Sequence, residues 1–277
     1  MTMMKREIVG IVPAGGRATR IAPLPCSKEL YPIGFKTIGD EQDLRPKPVG
    51  QFLLEHFCRA GARRVFIVLR KGKWDIPEYF GDGASLGLAI AYLMMNLPHG
   101  APYTVDQAYD FVREATVVFG FPDMLLEPED AYPRTVAHLR TTGADVVLGI
   151  FPIDQPHLGD PIEFDEQGRI RRILVKPVQC DLRFTWVVAA WEPSFTGFMH
   201  EFLAERERGA KIEAQSELYM SHVIMAAMEA GLRVEALHLP GARFLDIGVP
   251  TNLVKGLRAQ LDALDPRLIS DSIDRNS

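Results

Sequence analysis

Short apolar runs that alternate with helical patterns constrain the fold of this chain more than any other feature. The runs are EIVGIV at 7–12, RVFIVLR at 64–70, LAIAYLM at 88–94, TVVFGF at 116–121 and DVVLGIF at 145–151. Such near-continuous apolarity is typical of strands that are buried on both faces of a parallel sheet. Between the runs, helices are predicted at 51–61, 103–112 and 129–142. The alternation predicts a doubly wound, mostly parallel, Rossmann-like α/β sheet with helices on both faces. Ligands bind such sheets at the carboxyl ends of the strands.

The pattern becomes mixed after about residue 155. IEFDEQGRIRRILVK at 162–176 predicts two strands joined by a turn at Asp165–Gly168. The other elements predicted here are strands at 184–191 and 233–239 and helices at 194–208, 217–231 and 250–264. Because no internal repeat or linker is apparent, we expect a single domain over 1–277. It would consist of the halves 7–155 and 156–265 and a polar tail at 266–277.

Composition excludes several classes of protein. The 277 residues are 47% hydrophobic and 24% charged, the ordinary balance of a globular protein with a full-sized core. A net charge of −5 without any basic stripe argues against a nucleic-acid partner. Three scattered cysteines without a C-x-x-C pair indicate a reducing compartment. The apolar run Ile8–Pro13 is too short for a signal peptide or a membrane span. We therefore expect a soluble, cytoplasmic protein without a membrane partner.

A glycine-rich turn, PAGGRATR at 13–20, follows the first strand. Its glycines allow backbone N–H groups to approach a phosphate chain, and its arginines supply positive charge. A tight turn from strand to helix, with no ligand, explains the same residues equally well. The spacing does not fit the G-x-G-x-x-G fingerprint of dinucleotide sites. The Pro-rich continuation IAPLPCSKELYPIG at 21–34 carries a single lysine, Lys28, which strengthens the phosphate interpretation.

The turn and its continuation together resemble the signature of the sugar-1-phosphate nucleotidylyltransferase family. That signature runs A-G-G-x-G-T-R-L, a short spacer, then P-K or S-K and x-L-x-P. The S-K-E-L form looks most like the glucose-1-phosphate thymidylyltransferase branch. Four later segments resemble family motifs in the same order: RPKPVGQFLLEHFCRAGARRVFIV at 45–68, GDGASLGLAIAY at 81–92, FDEQGRIRRILVKP at 164–177 and RFLDIGVPTNLVKG at 243–256. The resemblance covers nearly the whole chain. It implies a nucleotide-binding half at 7–155 and a sugar-phosphate-binding half at 156–265.

The resemblance implies a role for each residue that matches a family motif. Arg20 would neutralise the triphosphate and Lys28 would hold phosphate oxygens during transfer, so both would be catalytic. Asp123 and Asp246 would bind Mg²⁺. Lys176, which follows Val175, would hold the sugar phosphate. The implied nucleotide-binding positions are Ala14, Gly15, Gly16, Arg17, Met95 and Gly100. The implied partners are a nucleoside triphosphate and a sugar 1-phosphate, and assembly into a homo-oligomer stays open.

The implied reaction needs these residue types. A phosphate oxyanion of the sugar attacks the α-phosphorus of the nucleotide, and pyrophosphate leaves. Both reactants are anionic, so catalysis consists mainly of positioning and charge neutralisation by cations and Mg²⁺. The nucleophile is already ionised near neutral pH, and therefore no general base is needed. We also expect Asp123 and Asp246 to lie together at the carboxyl rim of the sheet, and Ala18 to adopt negative φ.

Every one of these charged residues also has a purely structural interpretation. Asp123 and Asp246 would equally suit caps of the helices that we place after them. Arg20 and Lys28 would suit ordinary surface charges. Lys176 would suit the end of an exposed hairpin strand. The sequence alone leaves these alternatives open for each residue taken singly.

The chain departs from the family at several positions within the implied site. The departures are Ala18 for the last glycine of A-G-G-x-G, FPD at 121–123 for G-D-N, Val175 for a glutamate that contacts the sugar, Met95 for a glutamine that reads the base, and an insertion at 35–45. Since they concern recognition, we interpret the chain as an active enzyme with an altered sugar or nucleotide preference. The alternative is a catalytically weak or inactive nucleotide-binding homologue with a regulatory or structural role. A plain metabolite-binding α/β protein would leave the paired aspartates unexplained.

Overall fold

The computed structural model describes residues 6–38, 43–95, 99–209 and 217–264. The strands are β1 Ile8–Ala14, β2 Pro32–Ile38, β3 Asp43–Pro48, β4 Arg64–Arg70, β5 Ala89–Met95, β6 Thr116–Phe119, β7 Met124–Glu127, β8 Val146–Pro152, β9 Ile162–Phe164, β10 Ile170–Ile173, β11 Phe184–Trp191, β12 Val234–His238 and β13 Arg243–Asp246. The helices are α1 Val49–Arg59, α2 Asp75–Phe80, α3 Ala101–Asp106, α4 Tyr109–Val112, α5 Ala131–Thr142, α6 Pro193–Gly209, α7 Met220–Glu229 and α8 Pro250–Asp262. The predicted tail at 266–277 lies outside the described residues.

Seven strands of the described part form the central sheet, in the order β12-β8-β11-β6-β1-β4-β5. Strand β1 lies between β4 and β6 and is parallel to both, and β4 is parallel to β5. On the other side, β11 runs antiparallel to both β6 and β8, whereas β12 is parallel to β8. This arrangement confirms the predicted sheet, which is mostly parallel and becomes mixed in the second half of the chain.

Most of the apolar core lies in two clusters, one on each face of the central sheet, and a smaller third cluster lies around Val49. Successive residues of a strand point to opposite faces, so Val9 and Ile11 pack in one cluster while Ile8 and Val12 pack in the other. Helices α3, α4, α6 and α7 contribute to the first cluster, and α1, α2 and α5 to the second. Because helices cover both faces of the sheet, the side chains on both faces of each strand are buried, and this explains why the strands are apolar throughout. The prediction of helices on both faces is confirmed.

Three two-stranded ladders accompany the central sheet in the described part of the chain: β2 with β3, β9 with β10, and β7 with β13. The β9–β10 ladder confirms the two strands predicted within 162–176, with Gly168 at φ +77° in the turn. The β2–β3 ladder includes much of the predicted insertion at 35–45, of which 39–42 lie outside the described residues. The β7–β13 ladder was not predicted, and it matters most because it ends at Asp246.

The other differences from the predicted elements concern short or interrupted segments. The predicted helix at 103–112 is two helices, α3 and α4. The chain tightens between them, because the N–H groups of Ala108 and Phe111 bond to carbonyls three residues earlier, those of Val105 and Ala108. Helix α2 and strands β2, β3, β7 and β13 were missed, since each has seven residues or fewer and no clear apolar period.

Candidate functional site

The β7–β13 ladder brings two distant aspartates together at the carboxyl rim of the sheet. Asp246 pairs with Met124, the residue after Asp123, and the N–H of Ile247 donates to the Asp123 carbonyl at 3.0 Å. A methyl group placed on Gly248 would lie 2.8 Å from Asp246 Oδ1 and 3.4 Å from Asp123 Oδ2. A single point therefore lies within contact distance of both carboxylates, as expected from the sequence.

Neither aspartate caps a helix. Asp123 is followed by strand β7. Helix α8 begins after Val249, and no side chain caps it. Asp246 Oδ1 instead accepts a hydrogen bond from the Gly248 N–H at 2.7 Å, within the turn that precedes the helix. The structural interpretation of both residues as caps is therefore wrong.

Each aspartate is paired with one of the predicted catalytic cations. Lys28 Nζ lies 2.5 Å from Asp123 Oδ2, and Arg20 Nη2 lies 3.0 Å from Asp246 Oδ2. Burial by itself lowers the pKa of Lys28, but the nearby carboxylates of Asp123, Glu29 and Asp246 together outweigh burial and raise that pKa above its ordinary value. Burial, and then the charge of Asp123, raises the pKa of Asp246 against the opposing effect of Arg20. Two repelling carboxylates are thus held together by two cations.

The glycine-rich turn lies beside this charge cluster. A methyl group on Gly16 would lie 3.5 Å from Lys28 Nζ, so the turn passes directly over the lysine. The expectation of negative φ at Ala18 is wrong: its φ is +53°. The cause is a tight turn in which the Ala18 carbonyl accepts hydrogen bonds from the N–H groups of Ile21 and Ala22, both at 3.1 Å. The chain therefore keeps a backbone shape that favours glycine while carrying a methyl group there.

A cleft of about 340 Å³ opens between this turn and the segment after β4. Its lining includes Arg17, Lys28, Arg70 and Lys73, with Asp75 as the acidic member. Arg70 Nε is buried and makes no hydrogen bond within the described residues. Sequence reasoning missed Arg70 and Lys73. Because β1 and β4 are parallel neighbours, cations at or just after the end of RVFIVLR lie beside the phosphate-binding turn, and this would have identified them.

Among the other predicted nucleotide-binding residues, Ala14 and Gly15 are buried at the end of β1 and Arg17 is exposed. Met95 and Gly100 flank the segment after β5 and make packing contacts. Thr104 Oγ1 donates to Met95 Sδ at 3.1 Å. Gly100 has φ +117°, and a methyl group there would overlap the Leu218 carbonyl. Glycine is thus required at position 100 for close packing of the backbone, whatever else the residue does.

A second cluster surrounds Lys176, in the half of the chain after residue 155. Lys176 has φ +42°, its Nζ lies 3.9 Å from the centre of the Tyr219 ring, and its N–H donates to Asp160 Oδ1 at 3.3 Å. Asp160 Oδ2 accepts a hydrogen bond from Ser221 Oγ at 2.6 Å. Burial raises the pKa of Asp160, which Ser221 partly opposes. The side chain of Val175 is half-buried beside this lysine.

Side-chain contacts connect the two clusters. Ser221 Oγ, which donates to Asp160, accepts a hydrogen bond from Trp186 Nε1 at 2.8 Å. The Trp186 ring lies 6.1 Å from the ring of Phe121, two residues before Asp123. A path of contacts thus runs from the cluster around Lys176 to Phe121, two residues along the chain from Asp123. No direct contact links Lys176 to Asp123 or Asp246 among the residues that the structure describes.

Cations and a glycine turn at the carboxyl rim of a doubly wound sheet are typical of a class, that of α/β proteins that bind phosphorylated nucleotides. A family model described as nucleotidyl transferase matches residues 9–262, and the chain belongs to this family. It is a nucleotidyltransferase, and one of the relatives that it resembles is named for a sugar 1-phosphate substrate.

The chain is 25% identical to a glucose-1-phosphate thymidylyltransferase of Streptomyces antibioticus, over 96% of its own length and 70% of that relative. It is 21% identical to the low-salt glycan biosynthesis nucleotidyltransferase of Haloferax volcanii, over 91% of its length and 66% of that relative. The crystal structure of a UDP-glucose pyrophosphorylase complexed with UDP-glucose superposes at TM-score 0.73 and 16% identity, over 94% of this chain and 100% of that one. Within the described residues, no helix is long and apolar enough to cross a bilayer.

Proposed function

We propose that the protein transfers a nucleoside monophosphate from a nucleoside triphosphate to a sugar 1-phosphate, or to a similar phosphate, in a Mg²⁺-dependent reaction. Pyrophosphate leaves and a nucleotide-activated sugar is formed. The observation that carries this proposal is the convergence of Asp123, Asp246, Lys28 and Arg20 beside the glycine turn. Similarity to a glucose-1-phosphate thymidylyltransferase and a UDP-glucose pyrophosphorylase supports the choice of a sugar phosphate as acceptor.

The paired aspartates fit Mg²⁺. The ion usually takes one or two protein carboxylates and completes its shell with water and substrate phosphates. Within the described residues, no group of three or more acidic, histidine or cysteine side chains is placed to enclose a metal, so a site completed by substrate is the arrangement that fits. Asp123 and Asp246 would hold the ion, which would neutralise charge on the phosphates that react.

The chain's own cations would do the rest of the positioning. Lys28 lies between Asp123 and the backbone of Gly16, where a phosphate of the bound nucleotide would meet both its ammonium group and the turn. The cleft beside it has room for the two phosphates that leave as pyrophosphate, and Arg70 supplies a further cation to its lining. Cations fixed where negative charge develops lower the barrier because they need no reorganisation during the reaction.

The cluster around Lys176 would receive the sugar phosphate. Lys176 supplies the cation, and its strained backbone at φ +42° is typical of residues held for a function. Val175 offers no acceptor for a sugar hydroxyl, and a site without such a partner rejects deoxygenated analogues poorly. We expect kcat/KM for glucose 1-phosphate to lie within about tenfold of that for a deoxyglucose 1-phosphate. Exclusive use of the fully hydroxylated hexose would contradict this prediction.

Pyrophosphate release tests the proposal directly. The purified protein is incubated with each common nucleoside triphosphate, a panel of sugar 1-phosphates, and Mg²⁺. Release is expected only when both substrates and the metal are present, and Lys28→Ala should abolish it. Thermal unfolding is measured in parallel, because a ligand at a hundred times its Kd stabilises a protein by about 2.7 kcal/mol. Stabilisation by a triphosphate without release from any pair would favour the inactive homologue instead.

A further inference from the structure

The two residues that flank Lys28 are both held by one short segment, 73–75, which follows β4. On one side, Asp75 Oδ2 accepts the Ser27 N–H at 2.6 Å, and Asp75 Oδ1 accepts the Ser27 hydroxyl at 2.7 Å. On the other side, Lys73 Nζ donates to both carboxylate oxygens of Glu29, at 2.6 and 2.7 Å. Lys28 is therefore fixed at both neighbours by side chains from a different part of the chain.

The Glu29–Lys73 pair is buried more completely than any other ion pair among the described residues, with side chains only 2% and 5% exposed. Removing two charges from water costs several kcal/mol per ion, and a buried pair is therefore weak evidence for stability. An apolar pair of the same size would suit a core position equally well. What distinguishes this pair is its place, directly beside Lys28 and against the cleft.

Local structure leaves Lys28 dependent on these contacts. The 3-10 turn Lys28–Leu30 is too short to hold itself, and the hydroxyl of Ser27 does not cap it. That hydroxyl is taken by Asp75 instead. Helix α1 packs closely against the turn, because a methyl group on Gly50 would lie only 2.8 Å from the Glu29 carbonyl. The turn therefore has no room to move towards α1. A lysine side chain is long and has many rotamers, and fixing its backbone limits the positions that its Nζ can reach.

We infer that Asp75 and Lys73 are positioning residues for Lys28, holding its ammonium group at Asp123 and at the mouth of the cleft. The inference rests on the proposed function only in assigning Lys28 to the reacting phosphates. The contacts with Ser27 and Glu29 are what fix the backbone of the lysine. The segment 73–75 also lines the cleft. The same residues thus form part of the cleft that would receive phosphate and fix the lysine that would hold it.

Asp75→Asn tests this inference against a matched control, Asp145→Asn. Asp145 also accepts one serine hydroxyl and one backbone N–H, from Ser194 and Arg233, but it precedes β8 at the opposite rim of the sheet. We expect Asp75→Asn to lower kcat by about 10- to 100-fold, because misplacement near 1 Å has effects of that size. KM should change by less than about threefold. The control should retain kcat within about twofold, although both variants lose a comparable hydrogen bond.

Ser27→Ala provides a milder variant, since it removes the hydroxyl bond and keeps the bond from the backbone N–H. It should lower kcat by a few-fold and leave the unfolding temperature near that of the wild type. If Asp75→Asn and Ser27→Ala both keep wild-type kcat while only the thermal stability of Asp75→Asn falls, the residues are structural and the inference is wrong.

A measurement without turnover separates this inference from the proposed function. An amine-acylating reagent is applied with and without inorganic pyrophosphate, and modification of Lys28 is followed by mass spectrometry. We expect Lys28 to react several-fold faster in Asp75→Asn than in the wild type or Asp145→Asn. Equal rates in all three proteins would overturn the inference. If Lys28→Ala keeps wild-type turnover, it is instead the proposed role of Lys28 in the reaction that fails.

Discussion

Replacing Gly248 by alanine tests the paired carboxylates with a single methyl group. The N–H of Gly248 donates to Asp246 Oδ1, and the residue does not adopt the left-handed backbone conformation, so alanine brings no backbone strain. The added carbon would lie 2.8 Å from Asp246 Oδ1, 3.0 Å from Arg20 Nη2 and 3.4 Å from Asp123 Oδ2. The methyl group would therefore occupy the point that the two carboxylates share.

The size of the effect follows from these distances. To reach an ordinary contact of 3.4 Å, Asp246 Oδ1 must retreat by 0.6 Å from 2.8 Å, and Arg20 by 0.4 Å from 3.0 Å. Displacements approaching 1 Å at reacting groups cost up to about 100-fold in rate. We expect turnover to fall at least about tenfold and the Mg²⁺ concentration for half-maximal activity to rise. Stability should fall by only about 1 kcal/mol, because the side chains that must yield are not in the packed core.

The assay is pyrophosphate release measured over a range of Mg²⁺ concentrations, with thermal unfolding of the same samples. Gly197→Ala supplies a matched control, since nothing lies within 4 Å of the added carbon in the middle of α6. That change should raise stability by about 0.5–1 kcal/mol and leave activity unaltered. Wild-type turnover and wild-type Mg²⁺ dependence in a folded Gly248→Ala protein would refute the shared metal site.

Further predictions concern three residues of the site and His56, a buried histidine of α1. Ala18→Gly removes the steric cost of φ +53° but adds conformational entropy to the unfolded chain. The free energy of unfolding should therefore rise by between zero and about 1 kcal/mol. A clear loss of stability in urea unfolding would contradict this prediction. Lys28→Ala leaves the buried Asp123 without its cation and should cost about 1–3 kcal/mol of stability. Arg20→Ala, at a side chain that is 53% exposed, should cost within about 0.5 kcal/mol. Both should depress pyrophosphate release far more than folding, and active alanine variants would refute their role. Burial lowers the pKa of His56, so the unfolded chain binds its proton more readily and stability should be lost as the pH falls below about 6.5. His56→Gln should flatten that part of the stability curve, and an unchanged curve in denaturant titrations would contradict the assignment.

Most of the central sheet was predictable because its strands are buried on both faces and must be apolar throughout. The strands at 64–70 and 184–191 were predicted with the bounds that the structure has. The β7–β13 ladder was not, since four-residue strands with mixed burial carry too little periodicity to identify them. Resemblance to a family nevertheless predicted that Asp123 and Asp246 lie together, which local patterns did not show.

The phosphate side of the site was only partly predictable. Lys28 was identified from its motif, but its dependence on Lys73 and Asp75 arises from contacts between segments more than forty residues apart. No rule of spacing links such positions in a single sequence. The wrong expectation for Ala18 has a similar origin. Preference for negative φ is a local tendency, and here hydrogen bonds to the Ala18 carbonyl close the turn at positive φ.

The antiparallel strand β11 makes the folding of each half of the chain depend on the other half, because it lies between β6 and β8. Among the described strands of the central sheet, β8 pairs only with β11 and β12, and both of these lie after residue 155. A fragment of residues 7–155 would therefore leave β8 without a neighbouring strand. Cutting the chain at 155 should therefore yield two fragments that fold only when mixed. The same strand carries Trp186, whose contacts reach Phe121 on one side and Ser221 on the other. A substrate that stabilises one half would consequently protect backbone amides of the other from hydrogen exchange.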